Sequence, residues 1–222
     1  MINVAPILVT GIPRSGTTMI AKVIHECGAF VGDAERNNKW MFENPHISGI
    51  IVKPYMERMG TDPGGQFPLP KTKELSIPMD WGKRIESLIE HDGYVKGPWM
   101  YKDTKMGLIW PIWNNAFPNA KWIIVRRRTG DVIQSCLKTG YMTAYEDEKG
   151  WLEWVHEYEI RFVQMIEAGL NCKIIWPERM INGNLQQLYE VIEWLGLTWK
   201  KEALNYIDPL LWGSKQKERS NE

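Results

Sequence analysis

Apolar positions along the chain fall into two kinds of pattern. Short continuous runs alternate with stripes spaced at the helical period. Ile7, Leu8 and Val9 form the first run, which reads as a buried strand. A glycine-rich turn over 11–16 follows. From Thr17 a helix is predicted with Met19, Ile20, Val23, Ile24 and Cys27 on one face, and Gly28 stands at its stop. Further runs at 99–102, 121–125 and 172–176 read as strands. Asn44 followed by Pro45 predicts a capped helix through Ile47, Ile50 and Ile51, broken or kinked at Pro54. Asp80 predicts a second capped start, with Trp81, Ile85, Leu88 and Ile89 on one face. A helix-like stretch over 106–117 is interrupted by Pro111. After the strand at 121–125 a helix carries Val132, Ile133, Cys136 and Leu137 inward. The longest helix is predicted over 151–168, with Val155, Tyr158, Phe162, Met165 and Ile166 as its stripe and Gly169 as its stop. A last helix over 185–195 ends at Gly196. Strands alternating with helices predict an α/β fold with a parallel sheet, whose ligands lie beyond the carboxyl ends of the strands.

Two segments break the pattern. Residues 60–79 are dense in Gly and Pro and predict a long surface loop, read as a substrate lid in preference to a floppy insertion. Residues 139–150 are polar and aromatic without periodicity. The tail from Ser214 is polar and is expected to fray. At 222 residues the chain is expected to form a single domain, 1–222, with a sizeable core.

Composition narrows the chemistry. The 27 basic and 27 acidic residues balance, so there is no general polyanion-binding surface, no nucleic-acid partner is expected, and any anion site must be local. The three cysteines have no paired spacing and no Cys/His cluster accompanies them, so no metal site is predicted. Reduced thiols fit a cytoplasmic location. The first apolar run is too short for a membrane span and has no leader-like flanks. The 12 tryptophans are expected mostly in the core, with a few lining a pocket.

The stretch 7–27 carries the strongest signal. Strand, glycine loop and helix is the geometry that cradles a phosphate, because the first N–H groups of the helix lack internal partners and its dipole adds positive character. Gly11, Gly16 and Thr18 keep the Gly-x-x-x-x-Gly-Lys-Ser/Thr spacing of a Walker A loop, but Thr17 replaces the lysine that grips a triphosphate. The cation inside the loop is Arg14. The fold expected is therefore a P-loop-type parallel β-sheet flanked by helices on both faces. A second strand-to-helix turn carries Arg127 at the strand end and Ser135 inside the next helix. A guanidinium and a hydroxyl on that scaffold could share one phosphate.

Together the two motifs resemble the sulfotransferases that use 3′-phosphoadenosine 5′-phosphosulfate (PAPS). The loop from Gly11 to Thr18 is similar to that family's 5′-phosphosulfate loop. Arg127, Asp131-Val132 and Ser135 stand in the register of its 3′-phosphate motif. The run 117–121, the pair Phe42-Glu43 and the stretch 173–197 extend the likeness. The resemblance implies an enzyme that moves a sulfuryl group from PAPS to a hydroxyl or amine, by in-line transfer without a metal, and releases 3′-phosphoadenosine 5′-phosphate (PAP). Pro13, Arg14, Ser15, Gly16, Thr17, Thr18, Arg127 and Ser135 would bind the donor, and Trp176 would stack on its adenine. Arg14 and Lys102 would act in transfer, with Lys102 steadying the leaving oxygen. The family's histidine after Lys-Thr is missing. The base implied is instead a glutamate, with Glu43 preferred to Glu35 and with Asp103 and His46 as outsiders. The acceptor is expected to be a small molecule or glycan bearing a hydroxyl, shaped by 60–79 and 139–150; oligomeric state is left open. The competing readings are a small P-loop nucleotide kinase and a non-catalytic nucleotide-binding module.

Overall fold

The structure is a computed structural model and describes residues 2–34 and 41–208. The expected α/β architecture is present. Four parallel strands, β1 (Ile7–Gly11), β2 (Met100–Lys102), β3 (Lys121–Val125) and β4 (Cys172–Ile175), lie in the order β2-β1-β3-β4. Leu8 stands opposite Tyr101 on one side and Trp122 on the other. The helices are α1 (Thr17–Glu26), α2 (Lys53–Arg58), α3 (Trp81–His91), α4 (Trp110–Ala116), α5 (Thr129–Leu137), α6 (Glu148–Glu167), α7 (Pro177–Ile181) and α8 (Gln186–Leu195).

The two-residue period of a strand divides the core in two. Leu8, Tyr101, Trp122 and Ile124 point to one face and pack on residues of α2 to α6. Ile7, Val9, Met100, Ile123 and Val125 point to the other and pack on α1, α8 and the 3-10 turn Lys201–Tyr206. Helices therefore cover both faces, which is why the strands read as continuous apolar runs. The first face is built on large aromatics. Trp81, Trp99, Trp113, Trp122, Trp151 and Trp154 are all fully buried. Tyr101 stacks on Trp113 with ring centres 5.2 Å apart, and Trp151, Trp154 and Tyr158 follow edge to face along α6. No described helix is long and apolar enough to cross a membrane.

Several local expectations are corrected. Pro54 does not end its helix. A π-helical turn, Ile47–Val52, precedes it, and the proline falls in the first turn of α2, where its missing N–H is tolerated. Pro111 likewise opens α4 instead of interrupting a helix. Asp80 stands at the start of α3 but its side chain makes no capping bond. Helix α6 begins three residues early, because the Asp147 carboxylate accepts from the Gly150 N–H and caps it. Leu137 and Ile166, expected inward, lie on exposed faces, while Met19 packs against the core and also lines a cleft.

The 60–79 loop is pinned down. Asp62 accepts from the N–H groups of Gly64 and Gln66. Trp154 Nε1 and Tyr158 OH both donate to the Gly65 carbonyl, and Arg161 Nη2 donates to that of Pro70. Gly65 sits at φ 76°, where a Cβ would stand 3.0 Å from the Tyr158 hydroxyl. Buried donors from α6 thus bond the loop at Gly65 and Pro70.

Candidate functional site

The carboxyl end of β1 runs into the glycine loop, and sterics fix the residue types there. A Cβ on Gly11 would stand 2.4 Å from the Val125 carbonyl oxygen and 2.9 Å from Ser15 Oγ. Arg14 at φ 72° and Gly16 at φ 95° turn the chain through left-handed conformations. Such turns point successive N–H groups into one concavity suited to an anion, here at the N-terminus of α1. Pro13, Arg14, Gly16, Thr17 and Thr18 line a cleft of about 470 Å³ at this end of the sheet. Ser15 does not line it: its N–H donates to the Ile12 carbonyl at 3.0 Å and its hydroxyl is buried beneath the loop without a partner.

The second turn meets the first. Arg127, just past β3, also lines the cleft, and its Nη1 donates to the main-chain oxygen of Arg14 at 3.1 Å. Burial lowers the Arg127 guanidinium pKa, against the nearby charges of Asp131 and Glu178, which raise it. Arg14 Nε donates to Ser135 Oγ at 3.0 Å and Nη1 to the Tyr141 hydroxyl at 3.1 Å. Arg14, Arg127 and Ser135 therefore form one cluster. Tyr141 brings the 139–147 segment to it. Gln66 of the 60–79 loop bonds that segment in turn, donating to the Tyr141 carbonyl and accepting from the N–H groups of Thr143 and Ala144. Trp176 is elsewhere: its ring faces the Arg126 guanidinium at 5.2 Å, and it is not among the residues lining the cleft.

The cleft floor carries buried charge. Glu43 Oε1 pairs with Lys102 Nζ at 3.0 Å and Oε2 with Lys105 Nζ at 3.2 Å. Lys105 Nζ also pairs with Asp103 at 2.7 Å. Burial alone would raise the Glu43 pKa, but the two ammonium groups outweigh it and hold the carboxylate at about 2. Burial raises the Asp103 pKa, and the Glu43 charge adds to this. The Asp103 side chain also accepts from the Tyr101 hydroxyl and the Lys105 N–H. Lys102 Nζ and Thr18 Oγ1 both donate to the Met41 carbonyl, at 2.7 and 3.1 Å. This joins the Glu43 segment to the glycine loop. Glu35 lies outside the described residues. Lys105, Gln66 and Asp103 lie off the two motifs, and only the lysine pair flanking Asp103 hints at a charged floor.

The fold is that of the sulfotransferases. The sulfotransferase STF9 of Mycobacterium avium superposes with a TM-score of 0.54 at 13% identity, over 91% of this chain and 66% of that one. The sulfotransferase STF1 of Mycobacterium tuberculosis aligns at a TM-score of 0.46 and 14% identity, covering 91% of this chain and 70% of its own. The mouse sulfotransferase SULT7A1, solved in complex with PAP, aligns at 0.47 and 15% identity, covering 98% and 67%. The chain thus spans about two thirds of the length of these structures. No protein-family model matches the sequence, and no curated protein does.

Proposed function

We propose that this protein is a PAPS-dependent sulfotransferase acting on a small-molecule or glycan hydroxyl (or amine). The observation that carries the reading is the convergence of Arg14 and Arg127 on one cleft, with Ser135 bonded to Arg14. One adenosine donor with phosphate-like groups at both ends needs cations for each, and the meeting of the two turns at one cleft supports that reading. The glycine loop and Thr17 and Thr18 would take the 5′-phosphosulfate; Arg127 and Ser135 would take the 3′-phosphate. In transfer, the acceptor oxygen bonds to sulfur as the bond from sulfur to the phosphosulfate bridging oxygen breaks. The products are the sulfated acceptor and PAP. Lys102, which lines the cleft, would neutralise that leaving oxygen.

Glu43 lines the cleft, as does Asp208, and Glu43, held between the two lysines, would take the acceptor proton. Its resting basicity is low, since both lysines hold it. Drawing Lys102 toward the leaving oxygen removes one of those cations and raises that basicity as the proton departs. The charge neutralisation comes from arginine, lysine and backbone N–H groups, so the proposal is metal-independent. The kinase reading wants a loop lysine and a strand-end carboxylate facing the phosphates. Position 17 is Thr, and Asp103 at the end of β2 is engaged by Tyr101 and Lys105 and does not line the cleft.

Calorimetry with PAP and with magnesium ATP, followed by a sulfate-transfer assay over hydroxylated acceptors, tests the proposal. Binding of PAP with turnover of PAPS supports it. Binding of magnesium ATP without PAP would replace it with the kinase, and PAP binding without transfer to any acceptor would leave a binding module.

A further inference from the structure

The segment that presents Glu43 is held from an unexpected direction. Phe42, one residue before it, is buried and adopts φ 55°, a left-handed conformation that a bulky residue adopts only under restraint. Asn44, one residue after it, is also buried. Its Oδ1 accepts from the N–H groups of His46 and Ile47 at 3.0 and 3.1 Å, which caps the helical turn beyond. Its Nδ2 donates to Asp92.

Asp92 follows the last residue of α3, and its side chain is fully buried. One carboxylate oxygen accepts from Asn44 Nδ2 and from the Asp33 N–H at 3.3 Å; the other lies 2.7 Å from His46 Nδ1. Gly32 passes so close that a Cβ there would fall 2.4 Å from the Asp92 carboxylate and 2.6 Å from Asn44 Nδ2. The carboxylate therefore orients the Asn44 amide, nitrogen toward α3 and oxygen toward the capped turn. Asp33, His46 and Asp92 also bring possible metal-ligand atoms within 4.8 Å of one another. Both oxygens of Asp92 are already engaged by side-chain and main-chain partners, which is the chemistry of a clamp.

We propose that Asp92 is a positioning residue for Glu43, acting through Asn44 and His46. A left-handed Phe42 on one side and a clamped Asn44 on the other leave Glu43 a single placement between Lys102 and Lys105. The proposal rests on the reading of Glu43 as the carboxylate that receives the acceptor proton. The hydrogen bonds of Asp92 and Asn44 do not reach the glycine loop, which meets this segment where Thr18 bonds the Met41 carbonyl.

The test compares Asp92→Ala, Asp92→Asn and wild type in turnover, PAP affinity and amide exchange. Misplacing a reacting group by about an ångström can lower turnover by about a hundredfold, so Asp92→Ala is expected to reduce kcat by at least tenfold. PAP affinity is expected to stay within about twofold, since the clamp touches no donor-binding group. Exchange at the His46 and Ile47 amides is expected to quicken by about tenfold as their acceptor loses its orientation. Asp92→Asn, which can still accept from Asn44, is expected to recover most of the turnover. Wild-type kcat in Asp92→Ala, parallel loss of kcat and PAP affinity, or unchanged exchange at those amides would each overturn the proposal. If Asp92→Ala does not fold, Asn44→Ala cuts the same link from its other end and must show the same split. Wild type that neither binds PAP nor transfers sulfate would remove the sulfotransferase reading instead, and the exchange comparison would then decide the clamp alone.

Discussion

Arg127 Nη1 donates to the main-chain oxygen of Arg14 at 3.1 Å, linking residues 113 positions apart. The bond draws the turn after β3 onto the turn after β1, so that one cleft receives cations from both. If this link organises the donor site, removing the guanidinium costs about 1.5–3 kcal/mol of binding, a weakening of roughly 10- to 150-fold. Arg127→Ala should show that loss for PAP in calorimetry. Arg127→Lys should recover only part of it, because an ammonium cannot reproduce the planar fork. Unchanged affinity in Arg127→Ala would detach the second turn from the site.

Trp176 offers the opposite outcome. Its ring covers the Arg126 guanidinium at 5.2 Å and lies off the cleft wall. Trp176→Ala is therefore expected to leave PAP affinity within about twofold of wild type, while removing a cation–π contact of about 0.5–1 kcal/mol from stability. A large loss of PAP affinity would return the adenine to this residue.

Gly11→Ala tests the sterics of the loop. The new methyl would stand 2.4 Å from the Val125 carbonyl, which is backbone and cannot swing aside. Overpacking of this kind costs about 1–3 kcal/mol, a fall in Tm of roughly 2–12 °C at this chain length. A thermal melt at wild-type Tm would show that β1 and β3 can part at this point without penalty.

Glu43 sets a pH dependence with a definite sign. Its folded pKa, about 2, lies below the ordinary value of 4.5. The stabilisation from its ion pairs is therefore complete above pH 4.5 and is lost as pH falls toward 2. Lys105→Met removes one of its two partners and one from Asp103. Breaking a buried pair from one side destabilises by about 3–5 kcal/mol. The urea midpoint of this variant should be lower at neutral pH, and its further fall between pH 4.5 and 2 should be shallower than in wild type, because the folded and unfolded pKa values of Glu43 lie closer together. Superimposable pH profiles would mean that Lys105 does not restrain Glu43.

Most of the architecture was legible because the strands are buried on both faces. Runs such as those at β1 and β3 have no polar alternation to confuse them with surface strands, and each is followed by a helical stripe. Helix starts were less legible. Asp147 caps α6, but the first turn it caps holds no apolar residue, so periodicity finds the helix only from Trp151. Leu137 and Ile166 were misplaced for the opposite reason, since a stripe read in sequence does not show where the neighbouring helix ends. At the site, Arg14, Arg127 and Glu43 could be found because each sits in or beside a recognisable motif. Asp92 could not. Its role depends on the end of α3 lying beside the turn at Asn44, and no local pattern announces a contact between residues 48 positions apart.

The backbone of Arg14 carries a last consequence. At φ 72° a glycine would rest more easily than an arginine. Arg14→Gly would relieve that backbone and discard the side chain that bridges Ser135 and Tyr141. Under the proposed function, an arginine kept in that backbone pose is explained by the anion it would hold in the cleft.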